Sequence, residues 1–458
     1  MKQYIKQICT LSAALILVFS LVACQMKASN EDTSSTVIET YSSQTSTAGS
    51  TAKSESSSSK NENSQTESTA QKSESSTSQS ESSSSGDEAS DSSVIVPEGF
   101  TERDFDLGYS DYVTVVLNGT SASADGSGVV TGDGVITITE DGTYLLTGTY
   151  EGQILIDVSD EDGKVQLVLD SAVITCEDSA GIYVKSADKV FITTTAGSVN
   201  EVSTTVSFVQ SDDNTVDGAI FSKGNLVLNG EGTLKVYSAE GHGIVSKDDL
   251  KITSGTYVID AAEKGMESND MIGIAGGIIT IDSGDDGMNT DGYIVIENGT
   301  IEIDSGDDAI HADTILTING GSMSLDAHEG LEATVININD GMIVINASDD
   351  GINAAQKVDD YTPMIEINGG EITVNMAAGD TDGLDSNGYI FINGGTVSVN
   401  AQFPFDYDLG AELNGGTVYV NGEQVTQLSN QFGGMGGGPG QGGFPGGGQG
   451  GQGGGHGR

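Results

Sequence analysis

The chain has 458 residues, 64 of them glycine, no tryptophan and a formal net charge of -51. Such a surplus of negative charge excludes nucleic acid and anionic lipid as direct partners and favours cations, or ligands that cations bridge.

At the start, Lys2 and Lys6 precede an apolar run over 11–22 that ends in Leu21-Val22-Ala23-Cys24. Residues 1–23 therefore resemble a bacterial lipoprotein signal, with Cys24 as the lipid attachment site and the extracellular face of the cell membrane as the destination. With Cys9 removed and Cys24 acylated, Cys176 has no partner and no disulfide is expected. Residues 24–95 are almost wholly Ser, Thr, Glu, Gln and Asn, too polar to bury a core, and read as a disordered tether. At ~5–6 Å × √n such a tether spans roughly 45 Å. Residues 425–458 are Gly, Gln and Pro low complexity with a lone His456, a flexible tail rather than a metal site.

Between these ends lies β-sequence. Over 96–163, alternating segments such as Val135-Ile136-Thr137-Ile138 are split by Asp-Gly turns and lack a fixed period. They are expected to form an N-terminal β cap over the open end of a repetitive segment. From 164 to 424 a unit repeats: Gly243, Gly265, Gly287 and Ala309 are 22 residues apart, then Gly330 and Gly351 come at intervals of 21. Three short runs of alternating β-branched residues per unit predict an all-β fold, a right-handed parallel β-helix with three-strand rungs of about 22 residues. Two longer gaps mark insertions, roughly 197–216 and 356–364, expected to loop out from one side.

With the Gly of each unit as position zero, the next column is aliphatic (Ile244, Met266, Met288, Ile310, Leu331, Ile352) and the column two further on is small (Ser246, Ser268, Thr290, Ala312, Ala333, Ala354). Period-two alternation puts both inside, so the intervening column, Tyr183, Phe221, Val245, Glu267, Asn289, His311, Glu332, Asn353 and Asp385, faces solvent. Asn229, Asn298, Asn319, Asn339, Asn368, Asn393 and Asn414 precede turn glycines and are expected to stack as a structural ladder.

The column before the Gly becomes acidic halfway along: Lys264, then Asp286, Asp308, Glu329, Asp350 and Asp382, with Asp285, Asp307 and Asp349 one place earlier and Asp380 nearby. Like charges stacked ~4.8 Å apart repel by about 3.5 kcal/mol at an effective dielectric of 20, so cations are needed to neutralise them. Oxygen ligands in this number suit Ca²⁺. The expected metal set is Asp285, Asp286, Asn289, Asp307, Asp308, His311, Glu329, Glu332, Asp349, Asp350, Asn353, Asp380, Asp382 and Asp385. His242, His311 and His328 lack the cysteines or paired histidines of a transition-metal site. A second patch, for uronates, is expected where Lys185, Lys223 and Lys247 stack beside Tyr183 and Phe221.

The segments GIYVKSADKVFIT, AIFSKGNLVLNGEG, GHGIVSKDDLKITSGTYVIDAA and GDDGMNTDGYIVIENGTIEID, within a stretch of about 113–420, resemble the bacterial carbohydrate-binding β-helix lipoprotein family. That resemblance implies a pectate-lyase-like architecture, calcium sites, and pectic or cellulosic polysaccharides as partners. The D-D-G-x-N pattern at Asp285, Asp286 and Asn289, repeated at Asp349, Asp350 and Asn353, resembles the calcium cluster of a β-helical pectate lyase. A lyase also needs a basic group near the sugar proton, and only Lys264 and Lys357 are available. The sequence therefore favours a monomeric, calcium-stabilised binder of acidic polysaccharide over its alternatives, a calcium-dependent lyase and an adhesin or wall spacer without a glycan ligand. The absence of Trp argues against flat platforms for crystalline neutral glycans.

Overall fold

The computed structural model describes residues 96–430 apart from 161, 206, 211–214 and 380, so Cys24, the signal, the tether, most of the tail and Asp380 lie outside the described residues. The chain is all-β; among the described residues the only helix is a 3-10 turn at Glu102–Phe105.

Alternation makes the strands. Thr256–Ala261 buries Tyr257, Ile259 and Ala261 and turns Val258 and Asp260 outward. Each strand pairs in parallel with its equivalent in the next unit, as Met266 pairs with Met288 and Leu331 with Ile352. Three series of strands result. The first contains His242–Ser246, Met266–Ser268 and Met288–Thr290; the second Leu250–Ile252, Met271–Ile274 and Tyr293–Ile296; the third Thr256–Ala261, Ile278–Ser283 and Thr300–Ser305. The aliphatic and small columns of the first series are buried as expected. The glycine column has a packing cause: at Gly287 a Cβ would lie 2.5 Å from an Ile303 methyl and 2.6 Å from the Ala309 carbonyl oxygen.

Parallel stacking begins before residue 164. Val113–Gly119 pairs in parallel with Gly142–Glu151, which pairs in parallel with Lys164–Cys176 across the expected boundary. The end is closed by antiparallel partners, Ser121–Ala124 on Val113–Gly119 and Val129–Gly132 on Val135–Ile138. At the other end Glu423–Val425 folds back antiparallel on Thr417–Val420.

The first described residues do not cover the end; they strap the side. Arg103 lies 4.4 Å over the Phe191 ring, and the buried Asp104 carboxylate pairs with Lys189 at 3.1 Å. The Asp104 carbonyl accepts from Asn229 Nδ2 and Thr253 Oγ1. Phe100 rests on Gly273, where a Cβ would meet its ring at 2.9 Å. The strap thus crosses the outer face of the second series from Met271–Ile274 back to Lys189–Thr194.

The first insertion is shorter than expected, because Val199–Thr204 is a regular strand of the third series. The insertion is 205–217, of whose described residues none lies in a strand. The asparagine ladder begins at Asn319, which donates to Glu297, and runs through Asn339, Asn368, Asn393 and Asn414 at 2.8–3.0 Å per step. Asn298 is not part of it and caps its own turn, while Asn229 is buried under the strap.

Candidate functional site

The outer column of the first series stacks in register: Val245, Glu267, Asn289, His311, Glu332, Asn353, Asp385 and Asp406. The column before the glycines stacks beside it, with Asp308 opposite Glu329 and Asp350 opposite Asp382. Two of the acidic rungs hand an acceptor to the next, since the Asp308 N–H donates to Asp286 and the Asp382 N–H to Asp350.

In the middle rungs the chain supplies its own cations. Lys264 Nζ sits 2.9 Å from Asp286 Oδ2, which also accepts from Asn289 Nδ2 at 2.9 Å. His311 Nδ1 lies 2.7 Å from Asp308 Oδ2 and 2.9 Å from Glu332 Oε2, and its Nε2 lies 3.2 Å from Asp313. Lys357, from the second insertion, reaches Glu332 Oε2 at 2.7 Å. Burial alone would lower the His311 pKa, but its bonds to Asp308 and Glu332 outweigh burial and push it up to about 10. The same contest keeps Glu332 ionised, since burial is outweighed by its bonds to His311 and Lys357. Lys264 and Lys357 are also driven upward, burial being outweighed by Asp286 and Glu332. A proton-abstracting base must be neutral, so neither lysine is poised for a lyase step.

Three of the expected ligands, Asp285, Asp286 and Asp307, bring oxygens within 4.8 Å of one another, and Asp308 and Glu332 oxygens lie equally close to one another and to a His311 ring nitrogen. The second group has an imidazole at its centre, bonded through Nδ1 to both carboxylates. Asn353 donates to Glu329 at 2.9 Å and Glu332 at 3.2 Å. Asp349 is half-exposed and lies 3.8 Å from His328.

The last rungs differ. Among the described residues no Lys, Arg or His pairs with Asp350 or Asp385. Burial, then Asp385 and Glu329, push Asp350 up to about 7, and burial, then Asp406 and Asp382, push Asp385 up to about 6. Asp406 was not among the expected ligands, because Pro404 stands where the repeat has its glycine; the 21-residue step from Gly383 would have found it. Asp248, Asp249 and Asp270 form a further carboxylate group outside the expected set, with Lys251 bound to Asp249 at 2.7 Å.

The expected lysine and aromatic patch is corrected. Tyr183 and Phe221 do not face solvent: they pack edge to face at 5.7 Å in a small core with Val245, Ala180 and Val216, against which Phe208 of the 205–217 loop is laid. Lys185 pairs with Asp157 at 2.8 Å, and Lys247 pairs with Glu267 at 2.6 Å. Lys223 makes no ion pair among the described residues. The apolar character of this column is a covering signal, and the covering loop lies in an insertion that the repeat does not align.

A coil of stacked parallel strands whose outer columns carry graded charge is a surface-presenting scaffold. The family model of carbohydrate-binding domain-containing proteins matches residues 132–380 and 329–425, and the chain belongs to that family. A carbohydrate-binding domain-containing protein of Acetivibrio thermocellus is 35% identical over 151 residues, 32% of this chain and 52% of the relative, so the chain spans about half the length of the relative it matches. A solved polysaccharide lyase-like protein from C. thermocellum, a gadolinium derivative, is 32% identical, with a TM-score of 0.43, and covers 46% of this chain and 94% of its own.

Proposed function

We propose that the chain is a surface-anchored, calcium-stabilised polysaccharide-binding protein that favours acidic glycans such as pectic polygalacturonate. Its scaffold is taken to be a right-handed parallel β-helix with rungs of about 22 residues, the offset between Met266 and Met288. Family membership supports the glycan, and the single observation that carries the calcium is that Asp350 and Asp385, stacked on neighbouring rungs, have no Lys, Arg or His partner among the described residues. Asp350, Asp385 and the Asn353 amide oxygen are hard donors on adjacent rungs, the kind of donor that suits Ca²⁺. The ion would neutralise the column and bridge to a uronate carboxylate. The middle rungs fit less well, because Lys264 already holds Asp286 and His311 already holds Asp308.

The anchor rests on Cys24, which lies outside the described residues, and Cys24→Ser is expected to move the protein from the detergent phase to the aqueous phase. The main test is co-sedimentation with insoluble polygalacturonate. Retention with calcium and its loss in chelator is the expected result; full retention in chelator sinks calcium bridging. The same samples read the lyase alternative, since accumulating unsaturated uronide absorbance would require catalysis that the tied lysines do not offer.

A further inference from the structure

From Asn298 onward the turns that follow the second series repeat the dipeptide Asn-Gly, at Asn298, Asn319, Asn368, Asn393 and Asn414. In that dipeptide the glycine nitrogen can reach the asparagine side-chain carbonyl, because no Cβ shields the approach. The fold treats these turns in two ways. Asn319, Asn368, Asn393 and Asn414 are ladder members: each donates Nδ2 to the preceding unit, and the first three also accept at Oδ1 from the following one. The Gly394 and Gly415 nitrogens donate to the Ile367 and Ile392 carbonyls. These turns are also tight, since a Cβ at Gly369, Gly394 or Gly415 would lie 2.2–2.3 Å from the carbonyl oxygen of the preceding ladder asparagine.

Asn298 escapes these restraints. Glu297 takes the ladder place in its unit, and Asn298 stands one residue later, where the next two units have Gly320 and Asp340. Its side chain is exposed, and its Nδ2 makes no hydrogen bond among the described residues. Its Oδ1 turns back on its own chain and accepts from the Gly299 nitrogen at 2.8 Å, which brings the side-chain carbonyl group against the atom that would attack it. Around Gly299 there is room for a ring to close: a Cβ there would meet nothing closer than 3.4 Å.

We infer that Asn298 is a site of spontaneous covalent modification, deamidating and isomerising through a cyclic imide with Gly299 while the ladder amides are spared. The inference rests on neither the glycan nor the calcium. The Gly299 nitrogen gives its proton to hydroxide and bonds to Asn298 Cγ; the Cγ–Nδ2 bond breaks, and Nδ2 takes a proton from water and leaves as ammonia. A second water opens the imide at either carbonyl, leaving aspartate or isoaspartate. No oxidant, reductant or cofactor is involved. The product changes the stack locally. A new carboxylate stands beside Glu297, whose Oε1 accepts from Asn319 Nδ2 at the foot of the ladder. The isoaspartyl form also lengthens the main chain between Glu297 and Thr300, whose N–H groups hold the preceding unit at the Ile274 and Gly277 carbonyls.

The test is peptide mapping by mass spectrometry of the full chain in detergent, kept folded in mildly alkaline buffer made with heavy-oxygen water, so that only conversions during the incubation carry the label. Label is expected at Asn298 as aspartate and isoaspartate, told apart by electron-transfer fragmentation. Each restraining hydrogen bond slows the reaction about fivefold, so Asn368 and Asn393, held at both ends of the amide, should lag Asn298 at least about tenfold. In the urea-unfolded chain the rates should converge. Asn393→Ala, at an exposed position, removes the acceptor of Asn414 Nδ2 and should speed labelling of Asn414 about fivefold while leaving Asn298 unchanged. Labelling of Asn298 no faster than that of the ladder in the folded chain, or a spread of rates that survives unfolding, overturns the inference. An Asn414 rate untouched by Asn393→Ala overturns the protection assigned to the ladder.

Discussion

Between Asp308 and Glu332, His311 delivers positive charge to a rung where three carboxylates meet, a job that a bound ion would otherwise have to do. Its pKa, raised to about 10 from 6.5, means that its stabilising contribution is complete below pH 6.5 and fades only as pH rises through about 10. Its ring should therefore remain doubly protonated at pH 8 by NMR; titration near pH 6.5 would contradict the network. Glu332 is the mirror case: its lowered pKa makes its contribution present above pH 4.5 and lost as pH falls toward about 2. His311→Gln strands the buried Asp308 carboxylate, while Glu332 keeps Lys357, and should cost about 3 kcal/mol in denaturant unfolding at pH 7. Lys264 and Lys357 belong to the same accounting of charge. The sequence places Lys264 and Asp286 in one column 22 residues apart, which makes their pairing legible. It did not anticipate Lys357, which comes from an insertion and reaches Glu332 by a path that no repeat specifies.

Elements that obey the period were legible, and elements that lie across it were not. The interior columns, the glycines and the ladder from Asn319 result from stacking one unit on the next. The strap and the 205–217 insertion are chain-distant coverings: the insertion hides Tyr183 and Phe221, which were expected to face solvent, and the strap hides Phe191 and Met271. Gly273 is the one place where the repeat records the strap, as a missing side chain in a column that otherwise carries Lys251 and Val295. Gly273→Val suits its own strand but drives a methyl into Phe100. It should cost about 1–3 kcal/mol, and amide exchange should rise over 97–106 while the neighbouring strands stay protected. Uniform exchange across the molecule would mean that the strap does not open independently.

Across the whole molecule, charge grows toward the C-terminal rungs and the internal cations run out. Asp350 and Asp385 have raised pKa values, near 7 and 6, so their protonated forms favour the fold; in chelator their contribution should be complete below pH 3.8 and be lost as pH rises through about 6 to 7. Calcium should remove that loss, raising the melting temperature at pH 7.5 by about 5 °C relative to EGTA at equal ionic strength. Equal melting curves would remove the need for an ion at these rungs. The two ends have a different consequence. Antiparallel hairpins at the start, and Glu423–Val425 with Asn430 bonded to the Tyr407 carbonyl at the finish, leave little free edge on which another copy could continue the stack. Among the described residues the length of each outer column is therefore set by the number of units in the chain. A ligand that is itself a polymer meets a ruler of fixed size, and its grip can be tuned by adding or deleting whole units, each change adding or removing one contact along the chain it holds.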